Sequence, residues 1–382
     1  MAGRQFGRYE LIERIDIGGM AEVFRARQRG AAGFERVIAV KRILPYIAED
    51  EEMRAMFVQE AKIAVQLNHP NIAQVFDLGQ VDDHYFIAME LVEGQSLKAL
   101  IERWRERGGP VPEDAACHML VHVAEALHYA HFAEDSQGRP LNVIHRDVSP
   151  HNILLSYEGE VKVIDFGLAK AAGRAIQTRD GVVKGKLAYL SPEQAYGKPL
   201  DRRSDVFALG ICAWEIFTGQ RLFKRDDERQ TLLAIRNAEI EPVSRYARVA
   251  PALEAIVSRA LALEPEARFN TALAFREAIE EHQRAAGHRF ARREMRALMR
   301  STFPEHFAGT VEPGAAIELV QRKRPPPPPP RDPPTDEALE LLDMAGAEDT
   351  SPTNPGYVEE PTDMVALPAD DTQPGALFPD EP

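Results

Sequence analysis

The fold is decided by residues 145–152, which read His-Arg-Asp-Val-Ser-Pro-His-Asn, together with residues 165–167, which read Asp-Phe-Gly. Residues 153–164 lie between them and have the pattern of a short hairpin, with the turn at Glu158-Gly159. One acidic motif therefore stands on each side of a hairpin.

Two charged residues upstream accompany these motifs. Lys41 ends the β-branched run Val37-Ile38-Ala39-Val40, which predicts a strand, and Glu60 lies in residues 51–67, which have helical periodicity. Taken alone, a strand lysine and a helix glutamate are usually solvated surface charges. Lys41 and Glu60 become candidate functional residues because they precede the two motifs in this order.

The order and spacing of these segments resemble the catalytic loop and metal-binding turn of protein kinases. The resemblance runs from about Tyr9 to Gln283 without a gap. It implies an α+β, two-lobed protein kinase fold, with a small β-rich N-lobe containing one helix and a larger helical C-lobe. The chain pattern agrees, because residues 9–89 are mainly strand-like and residues 97–283 are dominated by helical periods.

The resemblance also implies a role for each motif residue, with ATP and Mg²⁺ as cofactors. Asp147 is expected to orient the substrate hydroxyl and accept its proton. Lys41, held by Glu60, is expected to contact the α- and β-phosphates of ATP. Asn152 and Asp165 are expected to hold the Mg²⁺ ions that bridge the phosphates.

The nucleotide site follows from the same resemblance. Met89 is expected to be the gatekeeper, Glu90 and Val92 to offer backbone groups to adenine, and four apolar residues to enclose the ring: Ile15, Val23, Ala39 and Leu154. The phosphate-covering loop departs from the family pattern of three glycines, because residues 16–21 read Asp-Ile-Gly-Gly-Met-Ala and keep only the middle one. Gly18 and Gly19 still provide flexibility at the tip, and reduced nucleotide affinity is expected.

Two further departures fall on positions that touch in the family. The catalytic-loop position two after Asp147, usually Lys, is Ser149, and the position after Gly185, usually Thr, is Lys186. We interpret this as an exchange, in which the Lys186 ammonium neutralises the γ-phosphate and Ser149 hydrogen-bonds to Asp147. The alternative is that Lys186 points to solvent and Ser149 only fills space.

The resemblance also predicts contacts that hold the C-lobe together. Glu193, in Ser191-Pro192-Glu193, is expected to be buried and paired with Arg268, and Asp205 to anchor the backbone of the catalytic loop. His145 and Phe166 are expected to stack in the core.

The sequence changes character after the predicted catalytic domain, residues 9–283. Residues 284–310 form an amphipathic helical extension, with Ala291, Met295, Leu298 and Thr302 at helical spacing; docking on the domain is favoured over binding a partner or a membrane surface. Residues 311–382 form a Pro-rich, acidic tail that we expect to be disordered. The run of prolines at 325–330 predicts a polyproline II spacer.

Charge and cysteine content exclude several classes of protein. The tail carries most of the formal net charge of −14, so the remainder is near neutral and lacks the basic surface that nucleic-acid binding needs. Cys117 and Cys212 lie in apolar helical patterns, which argues for buried thiols in a reducing compartment. No apolar stretch is long enough to span a bilayer, and we predict a cytoplasmic protein with no transmembrane segment.

The function implied is that of the eukaryotic-like Ser/Thr protein kinases of bacteria, whose patterns Gly-Gly-Met-Ala-Glu-Val-Phe and Ser-Pro-Glu-Gln-Ala occur here at 18–24 and 191–195. The expected reaction is transfer of the ATP γ-phosphate to Ser and Thr hydroxyls of proteins, with tyrosine less favoured. The alternative is a pseudokinase scaffold that binds nucleotide or partners without catalysis. Further hypotheses are activation at Thr178, transient self-association for trans-autophosphorylation, and docking of partners by a phosphorylated tail.

Overall fold

A computed structural model of the chain describes residues 4–166 and 187–307, which contain two lobes. The N-lobe is built on a six-stranded antiparallel sheet in the order β1-β2-β3-β4-β6-β5. Its strands are β1 (Arg4–Phe6), β2 (Tyr9–Ile17), β3 (Ala21–Arg29), β4 (Glu35–Ile43), β5 (Val75–Val81) and β6 (His84–Met89). The predicted small β-rich lobe is confirmed.

Two helices accompany this sheet. A short helix α1 (Pro45–Ala48) precedes α2 (Glu51–Ala64), so the lobe has one more helical turn than predicted. Asp50 caps α2 by accepting a hydrogen bond from the Met53 amide at 3.1 Å. Phe57 and Ala61 of α2 pack against the sheet. This packing fixes the rotation of the helix and turns Glu60 toward the cleft.

The pleat of β4 decides where its lysine points. Ile38 and Val40 are fully buried in an apolar cluster with Tyr9, Phe86 and other residues of the sheet. Because successive side chains alternate between the two faces of a strand, Lys41 lies on the opposite face. Burial of Ile38 and Val40 on one face of β4 therefore directs Lys41, on the other face, into the cleft.

A short connection, residues 90–93, joins the lobes. It leads into a three-stranded antiparallel sheet formed by β7 (Gly94–Ser96), β8 (Ile153–Ser156) and β9 (Val161–Val163). Strands β8 and β9 form the hairpin predicted for residues 153–164, and the Gly159 amide donates to the Ser156 carbonyl at its turn. Gly159 has φ +85°, a conformation that glycine adopts without strain.

The C-lobe is helical, as predicted. Its helices are α3 (Leu97–Glu106), α4 (Glu113–His131), α5 (Pro192–Tyr196), α6 (Arg203–Thr218), α7 (Glu228–Arg236), α8 (Pro251–Ala260) and α9 (Ala272–Ala286). Helix α6 is buried on all sides after its first residue, as expected for a helix that is apolar all round. Cys117 and Cys212 are buried free thiols in this core, which confirms the prediction that both thiols are buried.

The last described helix is α10 (Arg292–Thr302), which lies within the predicted amphipathic extension and packs on the C-lobe. Its Met295 and Met299 are fully buried, and Phe303 is 3% exposed. Arg103 and Arg107 of α3 bind the segment from the other side, through Glu305 at 2.8 Å and the Ser301 carbonyl at 2.7 Å. The docked arrangement is therefore confirmed over the partner-helix alternative.

Among the described residues, no helix combines the length and the apolar character that crossing a membrane requires.

Candidate active site

The cleft centres on an ion-paired lysine. Lys41 Nζ lies 2.7 Å from Asp165 Oδ1 and 3.3 Å from Glu60 Oε1. Burial alone would lower the pKa of Lys41, but the two carboxylates outweigh it and the pKa is raised. Burial raises the pKa of Glu60, against the attraction of the lysine. The structure thus brings together the predicted strand lysine, helix glutamate and metal-binding aspartate, with the lysine charged.

Asp147 and Asn152 lie side by side in the catalytic loop. The Asn152 amide nitrogen donates to both the Asp147 carbonyl (2.8 Å) and its Oδ2 (3.0 Å). Because both N–H bonds of this amide are used, its oxygen is the atom suited to a hard cation such as Mg²⁺. The donor set of one amide oxygen and the Asp165 carboxylate fits that ion. The same contacts fix the position of the Asp147 carboxylate.

The backbone of this loop is anchored from α6, as predicted. Asp205 Oδ2 accepts from the His145 amide and Oδ1 from the Arg146 amide, both at 2.8 Å. Burial would raise the pKa of Asp205, yet its contacts, first of all with His131 at 2.7 Å, lower it overall. The fully buried carboxylate is therefore ionised and holds the loop by two charge-assisted hydrogen bonds.

Two residues at the ends of the motifs have left-handed backbone conformations. Arg146 has φ +64° and Asp165 has φ +56°. Such conformations cost roughly 1–3 kcal/mol for residues with a side chain, and they persist where surrounding contacts hold them. Asp205 supplies those contacts for Arg146 and Lys41 for Asp165, so the strained residues are held by buried ionic contacts at the cleft.

His145 is a structural residue. Its Nδ1 accepts from the Asp147 amide at 3.2 Å, and its Nε2 is 3.1 Å from the Ile164 carbonyl, so the proton is assigned to Nε2. Burial lowers its pKa, consistent with a neutral ring. The predicted contact with Phe166 is confirmed, with ring centroids 4.5 Å apart, but the rings are tilted by 42° and not stacked in parallel.

The predicted adenine-binding residues stand on strands around the interlobe connection. Met89 pairs with Ala39 across β4 and β6 and, with Lys41, lines a pocket at the back of the cleft. Ile15, Val23 and Ala39 lie on three adjacent N-lobe strands, and Leu154 lies on β8. The Glu90 amide already donates to the Gln74 carbonyl at 2.8 Å. Of its two backbone groups only the carbonyl can therefore serve adenine, together with Val92.

The tip of the phosphate-covering loop is tied to α1. The Gly18 amide donates to the Ala21 carbonyl at 2.8 Å, and the Tyr46 hydroxyl donates to the Gly19 carbonyl at 3.0 Å. A Cβ at Gly18 would make only an ordinary contact, at 3.6 Å. Crowding therefore does not require glycine at this position.

The structure corrects the prediction for Ser149. Its side chain is fully buried, and its hydroxyl has no hydrogen-bond partner within residues 4–166 and 187–307, so the predicted bond to Asp147 is not formed. The Asp147 carboxylate instead receives the Asn152 amide, which reaches it through a longer side chain. Lys186, Gly185, Gly167 and Thr178 lie outside the described residues.

A buried ion pair closes the C-lobe side of the site. Arg268 donates to both oxygens of Glu193 at 2.8 Å, and the Ser204 hydroxyl donates to Glu193 Oε1 at 2.6 Å. Burial would raise the pKa of Glu193, but the hydrogen bonds from Arg268 and Ser204 lower it overall. The predicted Glu193–Arg268 pair is confirmed.

Two contacts were missed by the sequence interpretation. Gln194 forms a capping box with Ser191 and donates to the Arg146 carbonyl at 3.0 Å, which ties α5 to the catalytic loop. The pattern Ser-x-x-Gln at 191–194 could have revealed the box. Lys162 pairs with Glu90 at 2.9 Å. Sequence spacing gave no signal for this pair, because 72 positions separate the two residues.

Two lobes with the ion-paired Lys41 and the loop of Asp147 between them form the arrangement of a kinase-type domain. Residues 9–282 match the model of the protein kinase domain family. The chain belongs to the protein kinase family.

Named relatives agree on the family. The chain is 42% identical over 287 residues to tyrosine-protein kinase MasK of Myxococcus xanthus, covering 74% of this chain and 44% of MasK. It is 36% identical over 269 residues to serine/threonine-protein kinase PrkC of Bacillus subtilis, covering 70% of this chain and 39% of PrkC. The crystal structure of the Mycobacterium tuberculosis PknI kinase domain is 27% identical, with a TM-score of 0.56, covering 74% of this chain and 98% of that domain. The chain thus spans less than half the length of these two curated relatives.

Proposed function

We propose that this chain transfers the γ-phosphate of ATP to Ser and Thr hydroxyls of proteins. The observation that carries the proposal is the contact of Lys41 with both Glu60 and Asp165, beside an Asp147 held by Asn152. These residues supply the cation, the metal-binding oxygens and the proton acceptor that phosphoryl transfer requires. A scaffold without catalysis has no need for this complete set, which disfavours the pseudokinase alternative.

The mechanism assigns one task to each residue. Mg²⁺, held by Asn152 and Asp165, would neutralise phosphate charge when bound. Lys41 binds phosphate oxygens, and its pairing with Glu60 fixes the direction of its side chain. Asp147 orients the incoming hydroxyl and accepts its proton at the carboxylate. Positioning and charge compensation together account for catalysis, because little covalent work falls to the protein.

The named relatives differ in the type of hydroxyl that their names assign as the phosphate acceptor. MasK is named a tyrosine kinase, whereas PrkC and PknB of Mycolicibacterium smegmatis are named serine/threonine kinases. We favour Ser and Thr because the segments at 18–24 and 191–195 resemble that group. The experiment uses three peptides that differ only in carrying Ser, Thr or Tyr at one position, with ATP and Mg²⁺. Preferential labelling of the Tyr peptide would contradict the proposal, and labelling of none would support the scaffold alternative.

We also propose that Lys186 supplies charge to the γ-phosphate. The position that usually carries this lysine is occupied by Ser149, whose hydroxyl is buried and cannot reach a phosphate as an ammonium would. Lys186→Ala should lower kcat about a hundredfold, the scale found for one positioned donor. Lys184→Ala, two residues away, is the matched control and should leave kcat near the wild-type value.

The double variant Ser149→Lys with Lys186→Thr tests the same proposal in reverse. If the two positions are interchangeable, it should recover much of the kcat lost in Lys186→Ala. An unchanged kcat in Lys186→Ala would show that the γ-phosphate charge is neutralised elsewhere.

We further propose that two copies of the chain associate transiently, so that one copy phosphorylates Thr178 of the other. Thr178 is the only hydroxyl residue between positions 169 and 186, and a phosphate there would offer a partner for an arginine such as Arg146. Thr178→Ala should lower activity at least about tenfold, on the scale of lost charge-assisted contacts. Phosphate mapping by mass spectrometry checks the site, and full activity without phosphate at Thr178 would refute it.

We propose that the catalytic domain works in the cytoplasm. We also propose that the tail, residues 311–382, binds partner proteins after it is phosphorylated. Thr335, Thr350, Thr353 and Thr362 stand among Pro and acidic residues. Deleting the chain after Arg324 should therefore leave kcat on a generic peptide unchanged while weakening capture of a partner. A large loss of kcat would instead make the tail part of the catalytic unit.

A further inference from the structure

Three potential metal ligands meet on the C-lobe surface, away from the cleft. Glu113 stands in the first turn of α4, His282 in the last turns of α9, and His288 just after α9. One ligand atom from each lies within 4.8 Å of the other two. Elements distant in sequence therefore direct one carboxylate and two imidazoles to a common point.

The chain reversal after α9 creates this meeting. Gly287 ends the helix with φ +68°, a left-handed conformation that glycine adopts without strain. The His288 amide then donates back to the Gln283 carbonyl at 3.0 Å. This turn returns the His288 ring toward His282, with ring centroids 6.0 Å apart.

The three side chains differ in whether their polar atoms have hydrogen-bond partners. His282 Nε2 lies 2.7 Å from Glu113 Oε1, and the His282 ring is 5% exposed. His288 Nδ1, by contrast, is shielded from solvent and has no hydrogen-bond partner in the part of the chain that the structure describes. An unpaired imidazole nitrogen beside a histidine and a carboxylate is therefore available to a ligand.

We propose that Glu113, His282 and His288 bind a Zn²⁺ ion. Two imidazoles and one carboxylate form a donor set that suits zinc, with a fourth position left for water. Ligand atoms about 2.0–2.2 Å from a tetrahedral zinc stand roughly 3.4 Å apart. Modest side-chain rotations would open the 2.7 Å contact of His282 with Glu113 and close the wider separations, which are at most 4.8 Å. Cys117 of α4 is not among the side chains whose ligand atoms meet at this point.

The site would join the catalytic domain to its extension. Residues 288–291 connect α9 to α10, whose buried face covers the C-lobe. A metal bridging α4, α9 and this connection stabilises the docked helix, because ion binding to the folded state alone adds to its stability. The role proposed is structural and independent of the Mg²⁺ ligands in the cleft.

The experiment titrates the metal-free full-length protein with ZnCl₂ by calorimetry and follows its melting temperature. We expect one ion per chain and a rise in melting temperature. His288→Gln should weaken binding at least about tenfold, the lower range for disturbing a metal site. It should leave the metal-free melting temperature close to wild type, since His288 Nδ1 makes no hydrogen bond to lose.

Two further variants separate this site from general metal binding. Glu113→Gln retains a hydrogen-bonding side chain at the His282 contact and removes the charge, and should weaken binding similarly. His84→Gln, in the N-lobe, should not change the affinity. Residues 308–382 contain neither His nor Cys, so tail carboxylates give only a background common to all variants. No binding by the wild type, or an affinity equal to that of the wild type in both His288→Gln and Glu113→Gln, would overturn the proposal.

Discussion

Asp147→Asn should lower kcat about 10²- to 10⁴-fold, the range that general base catalysis contributes. The substitution removes the proton acceptor while keeping the size of the side chain, and an amide oxygen can still accept the hydrogen bond from Asn152. ATP affinity and melting temperature should therefore stay close to wild type. Single-turnover kinetics, nucleotide binding and thermal unfolding check these three expectations.

A matched control is Asp83→Asn, which makes the same chemical change in the exposed turn between β5 and β6. It should leave all three quantities unchanged. Near-normal turnover in Asp147→Asn would assign proton transfer to another group, whereas loss of nucleotide binding together with stability would point to a structural role for this carboxylate.

Arg268→Met should destabilise the fold by about 3–5 kcal/mol, the cost of breaking a buried ion pair by removing one partner. Arg268 is 1% exposed, and besides Glu193 it donates to the Ala262 and Leu263 carbonyls at 2.8 Å. Chemical denaturation gives the free energy of unfolding. The exposed pair of Arg245 with Glu241 supplies the control, since Arg245→Met should cost below about 1 kcal/mol.

The loss should depend on pH in a defined direction. The pKa of Glu193 is lowered in the folded protein, so its stabilising contribution is present above the pKa of the unfolded state and disappears as pH falls through the folded value. The difference between wild type and Arg268→Met should therefore shrink in acid. The double variant Glu193→Leu with Arg268→Met should recover part of the stability at neutral pH, and a double variant less stable than Arg268→Met would contradict the argument.

Sequence motifs predicted this site well where the backbone dictates the contact. Asp147, Asn152 and Asp165 flank one hairpin, and Asp205 begins a helix that is buried all round, so their positions follow from local structure. Ser149 was harder to predict. The prediction depended on whether the Ser149 hydroxyl or the Asn152 amide lies closer to the Asp147 carboxylate. That depends on how far each side chain extends in the folded loop.

Contacts between segments that are distant in the sequence could not be predicted for a different reason. Glu90 lies in the connection between the lobes and Lys162 on β9, so only the complete fold brings them together. His288 meets Glu113 through the turn at Gly287. Neither pair has a characteristic spacing. The amphipathic pattern predicted the docked helix α10, but it carried no information about which arginines of α3 would bind it.

The docked α10 places the physical edge of the domain beyond the end of the family match. The match ends at residue 282, yet Met295, Met299 and Phe303 fill the C-lobe surface after it. A recombinant fragment cut at residue 282 would leave that surface uncovered, and an uncovered apolar patch promotes association between copies. Inhibitor screening and crystallisation with this kinase domain therefore call for a fragment that continues through residue 307.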